Sequence, residues 1–278
     1  MSLQDVKNLN DISNVSLLIT GFISIGFATN FLWSYVYLRK LYKLQLGILL
    51  FVNGINVSIS YFASLPLSPK LFYILSITYN WTQVFSILLY QWIQCELLKL
   101  VCVASTFWTI WKVQIFKYFS IIIAFIGFLG SLFLDITYHL GDGSFWDTWK
   151  DIASTIVIAI IQAFALAQGI YMTFLIKSIC YVKDEKSKTN YNKYLKQSYI
   201  LLGLFIFFNI ISTVGYIVGV LVRGLSPTND LYYAMVNFAV ALYSFQMVSM
   251  CFLFESIKSM KFGSDADRRK ISNDKTHR

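Results

Sequence analysis

Charge is scarce in this 278-residue chain: Asp, Glu, Lys and Arg together make up 13% of it. Hydrophobic residues reach 57% and mean hydropathy is +0.61. A soluble domain of this size has no interior large enough to hide that much apolar surface, so that class is excluded. Histidine is almost missing, and His139 and His277 lie too far apart in the chain's topology to share a metal ion. The four cysteines, Cys95, Cys102, Cys180 and Cys251, fall within apolar segments or on the predicted inner side, which excludes an extracellular disulfide. Cys180, between Lys177 and Lys183, has the setting in which palmitoylation occurs. Phosphate-binding loops, nucleotide fingerprints, His-Glu-x-x-His and nucleophile elbows are all missing, and no paired acid and base replaces them. Neither an enzymatic activity nor a cofactor is expected.

What the chain does have is seven apolar stretches: Val15–Tyr37, Leu44–Leu65, Gln83–Trp111, Tyr118–Tyr138, Ile152–Ile176, Ile200–Val222 and Leu231–Phe254. A hydrocarbon core about 30 Å thick takes roughly 20 apolar helical residues, and each stretch meets that length. The expected architecture is an all-α, polytopic seven-helix bundle over residues 15–257. A short extracellular tail (1–14) precedes it, and a disordered basic cytoplasmic tail (258–278) follows. Between Pro69 and Lys112 there is neither glycine nor proline. Leu71–Thr82 therefore reads as an outer helical extension of the third span or a surface-lying segment, rather than as a span of its own. The polar first residues, with Asp5 and Asp11 and no basic cluster before the apolar run, predict a signal anchor rather than a cleaved leader.

Positive charge sets the direction, because short Lys- and Arg-rich loops stay cytoplasmic. Arg39, Lys40 and Lys43 follow the first stretch, and Lys112 and Lys117 follow the third. Lys177, Lys183, Lys186, Lys188, Lys193 and Lys196 follow the fifth, and the tail adds Lys258, Lys261 and the run Arg268–Lys270. The alternate segments are poor in such charge. N-terminus outside and C-terminus inside is the expected orientation. The net charge of +9 is then a property of the inner face, suited to anionic lipid headgroups or an acidic cytosolic protein, and nucleic acid is not needed to explain it. Ser272, preceded by Arg269 and Lys270, is a candidate phosphosite, where added negative charge would loosen the tail from anionic headgroups.

In lipid the polar residues carry the information. Helical periodicity lines up Gly26, Asn30 and Ser34 in the first stretch, Asn53, Asn56, Ser60 and Ser64 in the second, and Gln91, Cys95 and Cys102 in the third, with Ile93 and Leu97 opposite. Gln162, Gly169 and Thr173 align in the fifth, Asn209, Thr213 and Tyr216 in the sixth, and Asn237, Ala241 and Ser244 in the seventh. Such stripes are what interhelical packing and hydrogen bonding require. Gln91, Gln162, Asn209 and Asn237 are also the amides best placed to meet a small ligand in the interior. Glu96 and Lys99 fall near mid-membrane in this segmentation, where a charge costs at least about 2.5–3.5 kcal/mol. Spaced i, i+3, they are expected to neutralise each other and to join the polar centre. On the inner face Lys183, Lys186, Lys188, Lys193 and Lys196 are the candidate contacts for a cytosolic partner.

With Gly26 and Asn30 in the first stretch, the short basic loop Arg39–Lys43 and a Lys-rich third inner loop, the chain resembles the G protein-coupled receptor superfamily in topology. The resemblance implies a plasma-membrane receptor that binds a ligand in the outer half and signals to a cytosolic partner. Where those receptors carry an acidic-Arg-Tyr motif, this chain has Phe107–Lys112. Asn237 is followed by Phe238 rather than proline, and Pro66, Pro69 and Pro227 all lie outside the spans. Retinal chemistry is excluded, because Leu231–Phe254 holds no lysine. The alternative reading is a transporter or lipid-handling protein that uses the polar interior as a pathway.

Overall fold

The computed structural model describes residues 3–66, 68–105, pieces between 114 and 130, 158, 160–174, 176, 188–223 and 230–276. The described part is almost wholly helical: α1 (Leu3–Leu38), α2 (Leu41–Ala63), α3 (Pro69–Ser105), α4 (Ile160–Phe174), α5 (Lys188–Val222) and α6 (Asp230–Thr276). Five of these, all but the shorter α4, contain a stretch long and apolar enough to cross a bilayer. Leu204, Phe207, Ile210, Val214 and Leu221 on α5 and Phe22, Trp33 and Val36 on α1 are exposed outward. Large apolar side chains facing outward in such density need lipid around them. The chain is a multi-pass integral membrane protein.

Local sequence accounts for the helix boundaries. α1 stops at Arg39, whose φ of 51° is left-handed and whose N–H donates to the Tyr35 carbonyl at 2.8 Å. This closure is usually made by glycine and costs a side-chain-bearing residue about 1–2 kcal/mol. It lets a two-residue connection, Arg39–Lys40, turn the chain back into α2. α2 ends before Pro66, and α3 begins at Pro69, where a missing N–H costs nothing. Ser68 supplies the first carbonyl of that helix, accepting from the Phe72 N–H at 3.0 Å.

α1 and α2 pack closely and antiparallel. Gly21 and Gly54 face each other so tightly that a Cβ on Gly54 would sit 2.9 Å from the Gly21 carbonyl oxygen. α6 packs against α1, α2, α3 and α5, and about 67% of its apolar window is buried, against 33% for α1 and 28% for α5. It is the axis of the bundle. The large core gathers Phe31, Leu49, Tyr90, Leu97, Phe205 and Met247 around it, with Phe252 edge-on to Phe27 at 5.1 Å. A smaller cluster, Leu17, Val57, Tyr216 and Ala239, fills the other half. Asn53 also joins α1, α2 and α6: its Nδ2 donates to the Ser24 hydroxyl at 3.4 Å, and its Oδ1 accepts from the Ser244 hydroxyl at 3.5 Å.

Cross-helix bonds also settle relative directions. Gln94 meets Ala165 and Cys95 meets Gln168, both contacts advancing together, so α3 and α4 run parallel. Gln162 meets Asn209 while Gly169 abuts Phe205, so α5 runs against α4.

Several expectations need correction. The third span is shifted toward the N-terminus: its apolar part is Lys70–Val101, not Gln83–Trp111. Leu71–Thr82 is no outlying extension, because Asn56 of α2 donates to the Tyr79 carbonyl at 2.8 Å and to the Thr82 hydroxyl at 3.0 Å. On α1, Gly26 and Asn30 are exposed, and the face turned inward is Leu17, Gly21, Ser24 and Ala28. Small size, which permits close approach to α2, outranked polarity there. Ile93 and Leu97, expected on the face opposite Gln91, are buried along with it, because the C-terminal half of α3 is surrounded by neighbours. Lys188, Lys193 and Lys196 belong to α5 rather than to a loop, while Lys183 and Lys186 lie outside the described residues. The tail from Lys258, expected to be disordered, continues α6 as helix to Thr276, taking Ser272 with it. Elongating a formed helix needs no new nucleus, and the tail holds no proline and only one glycine, Gly263. The fourth stretch and the loop with His139 fall mainly outside the described residues.

Candidate functional site

Two ion pairs lie at one end of the bundle. Lys43, just inside α2, pairs with Glu255 of α6, and its ammonium also stands 5.0 Å from the Phe31 ring centre. Glu96 of α3 pairs not with Lys99 but with Lys117, at 2.5 Å, and that ammonium sits 3.2 Å over the ring of Trp92. Spacing alone allowed the Glu96–Lys99 pair. Instead, Lys117 reaches Glu96 from the next stretch of chain, with its aliphatic stem covered and its charge over an aromatic face. Lys99, half-buried one turn further on, makes no ion pair with Glu96.

These pairs also show why the mid-membrane reading of Glu96 fails. Residues 12–38, 44–69, 71–95, 197–222 and 231–254 are free of charge, runs of 24 to 27 residues. At about 1.5 Å per residue each spans roughly 36–40 Å, one hydrocarbon thickness with some tilt. Glu96 and Glu255 each come directly after such a run, and Lys43 directly before one. The two pairs form a charged belt at the edge of the apolar layer. The sharpest test is a coupling measurement on Glu96. Glu96→Gln and Lys117→Met should show an interaction energy of about 1–3 kcal/mol in a double-mutant cycle, read from thermal unfolding in detergent, whereas Glu96→Gln and Lys99→Met should add within about 0.5 kcal/mol. Strong coupling to Lys99 would overturn the assignment.

Behind the belt lies a layer of amides. Gln94 Nε2 donates to the Ala165 carbonyl at 3.2 Å, and Gln168 Nε2 to the Cys95 sulfur at 3.9 Å. Asn209 Nδ2 donates both to the Gln162 carbonyl at 3.2 Å and to Gln162 Oε1 at 2.6 Å. Gln246 Nε2 donates to the Tyr90 hydroxyl at 2.6 Å. Gln91, one turn before Gln94, comes level with Gln162 because α3 and α4 are parallel. The predicted Gln91, Gln162 and Asn209 thus belong to one layer, and sequence reasoning undervalued Gln94, Gln168 and Gln246. Their glutamines sit among apolar residues, a signal visible in the sequence once lipid is the solvent. Asn237 is elsewhere: half-buried near the opposite end, it donates to Asn14 Oδ1 at 2.8 Å and ties α6 to α1.

Farther from the belt a small cavity opens between α2, α3, α5 and α6. Asn53, Asn56, Gln83, Ser86, Ile87, Tyr216, Val240 and Tyr243 line it. Asn56 is thirteen residues along α2 from Lys43, about 20 Å, so the cavity occupies the half remote from the charges. Among the described residues no charged group lines it. Tyr243, one of the lining residues, meets the ring of Tyr90 edge-on at 5.6 Å, and the Tyr90 hydroxyl accepts from Gln246 of the amide layer. Among the described residues no group of His, Cys, Asp and Glu is arranged to hold a metal.

Comparison with protein-family models, with curated proteins and with solved structures finds no match to this chain.

Proposed function

We propose that the chain is a seven-span, receptor-like protein of the plasma membrane, with its N-terminus outside and its C-terminus in the cytosol. A small ligand binds in the outer half, and the inner helix ends signal to a cytosolic partner such as a G protein. The observation that carries this reading is the polar cavity in the half remote from the charged belt, which has room for about one water and which a ligand would widen by parting the helices around it. It is lined by four helices, among them α6, which extends from there past the belt toward the basic face. A ligand that shifted α6 at Tyr243 would therefore act on the far end of the same rod. Seven crossings are supported by the parallel course of α3 and α4. Seven alternating spans put the third and the fifth in the same direction, with Tyr118–Tyr138 as the apolar stretch between them in the sequence. The direction rests on the basic inner segments, Lys196 and the helical tail among them.

A transport function is the second reading, favoured by the amide layer that prolongs the polar interior beyond the cavity. One experiment separates the two. An environment-sensitive fluorophore attached at Lys196→Cys reports on the inner end of α5 while small polar compounds are screened for thermal stabilisation. In a receptor, a compound that stabilises wild type but not Asn56→Leu also shifts the fluorescence and stays outside sealed proteoliposomes. Accumulation of that compound inside the vesicles would overturn the receptor reading. A cytosol-only reporter that lights up on the N-terminus would overturn the direction.

A further inference from the structure

One amide of the spanning helices turns away from the bundle. Asn30 of α1 is exposed, and among the described residues nothing bonds its side chain. Every other asparagine or glutamine described in the charge-free runs is buried or half-buried, apart from Gln197 at the very start of its run. Thr29, beside Asn30, is also exposed, but its hydroxyl donates to the Ile25 carbonyl at 2.9 Å. Asn30 sits deep in the layer. Its run ends at Leu38, eight residues on, about 12 Å along the helix. A short carboxamide cannot reach the headgroups from there as a Lys or Arg stem can, and hydrocarbon tails neither donate nor accept.

The chain's own helices leave this face uncovered. Among the described helices α1 packs against α2 and α6 alone. The start of the fourth stretch stands against α3 and α4 instead: Lys117 pairs with Glu96, and the Phe119 ring meets that of Phe164 at 6.2 Å. Around Asn30 the open face continues through Ile19, Phe22, Gly26, Trp33 and Tyr37, all exposed and within about 80° of arc. A Cβ built on Gly26 would meet nothing within 4 Å, so another helix can approach closely one turn from the amide.

Whatever covers this face has to offer Asn30 both a donor and an acceptor inside hydrocarbon. A second copy of the chain does so by symmetry. Two copies inserted in the same direction and related by a two-fold axis along the membrane normal bring the same residue to the same depth. A carboxamide carries an NH₂ and a carbonyl oxygen, so two Asn30 side chains can each donate to the other. A lipid ester offers acceptors only, and it lies at the edge of the layer. We propose that α1 is the contact helix of a homodimer, with the two Asn30 amides bonded to each other and Gly26 setting the close approach. The pairing uses neither the cavity nor the basic face, so it stands or falls separately from the receptor reading.

The test uses the full chain in proteoliposomes. Copies carrying a donor or an acceptor fluorophore are mixed, and energy transfer is followed as the lipid-to-protein ratio rises. Wild type should show transfer that varies linearly with acceptor fraction, as pairs require, and that is lost only on strong dilution in lipid. Asn30→Leu should need roughly tenfold more protein per lipid to pair, while Asn30→Gln keeps the amide and should keep the pairing. Gly26→Leu should weaken pairing too. A large excess of detergent micelles separates the copies, so unfolding temperatures measured there report the single chain, and they should match wild type in all three variants. Transfer no greater than chance encounters give, at every density of wild type, would overturn the proposal. So would undiminished pairing in Asn30→Leu.

Discussion

Gly54→Leu is expected to leave little or no folded protein. A Cβ at this position would stand 2.6 Å from Ile25 Cγ1 and 2.9 Å from the Gly21 carbonyl oxygen. Ile25 could rotate away, but the backbone of α1 could not. Any side chain at residue 54 must therefore push α1 and α2 apart along the seam that Gly21, Gly47 and Gly54 keep closed. Overpacking costs about 1–3 kcal/mol where side chains absorb it, and more where backbone must move. Here the loss should exceed about 3 kcal/mol, measured by thermal unfolding of detergent-solubilised protein. Gly26→Leu is the control. Nothing lies within 4 Å of its added Cβ, so its change should stay within about 0.5 kcal/mol. Equal effects of the two substitutions would show that the α1–α2 contact is not the close one.

Lys43→Met should be nearly as damaging, for an electrostatic reason. The Lys43 side chain is only 6% exposed and that of Glu255 31%. Removing the ammonium strands a carboxylate at the edge of the apolar layer. Losing one member of a buried pair costs about 3–5 kcal/mol, and partial exposure of Glu255 puts the expected loss near 3 kcal/mol. The double variant Lys43→Met, Glu255→Gln should recover most of it, since two neutral groups of similar shape need no partner charge. Lys43→Met alone should also loosen α2 from α6 at the charged end of the bundle, registered as faster proteolysis near the Arg39–Lys40 turn. A double variant no more stable than the single one would show that the charges are independent.

The contrast between Glu96 and Gln162 shows what could be foreseen from residue order. Gln162 and Asn209 were recognisable as interior amides because a lone polar side chain in an apolar helix has nowhere else to go. Glu96 was recognisable as costly, but its partner was not: Lys117 is 21 residues away, and no local periodicity brings it to Trp92. Asn30 failed for a related reason. An amide on an apolar helix looks like an interior residue, but α1 turned Gly21, Ser24 and Ala28 inward because only small side chains admit α2 that closely.

Residue order by itself determined the solvent this protein lives in. Charge-free runs of 24 to 27 residues and dense apolar faces can be stable only in lipid, whatever the arrangement of the helices. It also determined that the interior would be joined by amides and hydroxyls, since these are the polar groups the runs contain. Tertiary structure alone decided which amides meet, which helix forms the axis, that α3 and α4 run parallel, and where the charged pairs sit along the bundle. Those depend on backbone approach and on contacts between residues far apart in sequence. Hydrophobic periodicity cannot encode them, because lipid tails and neighbouring helices are equally apolar surroundings and only shape and hydrogen bonding tell one from the other.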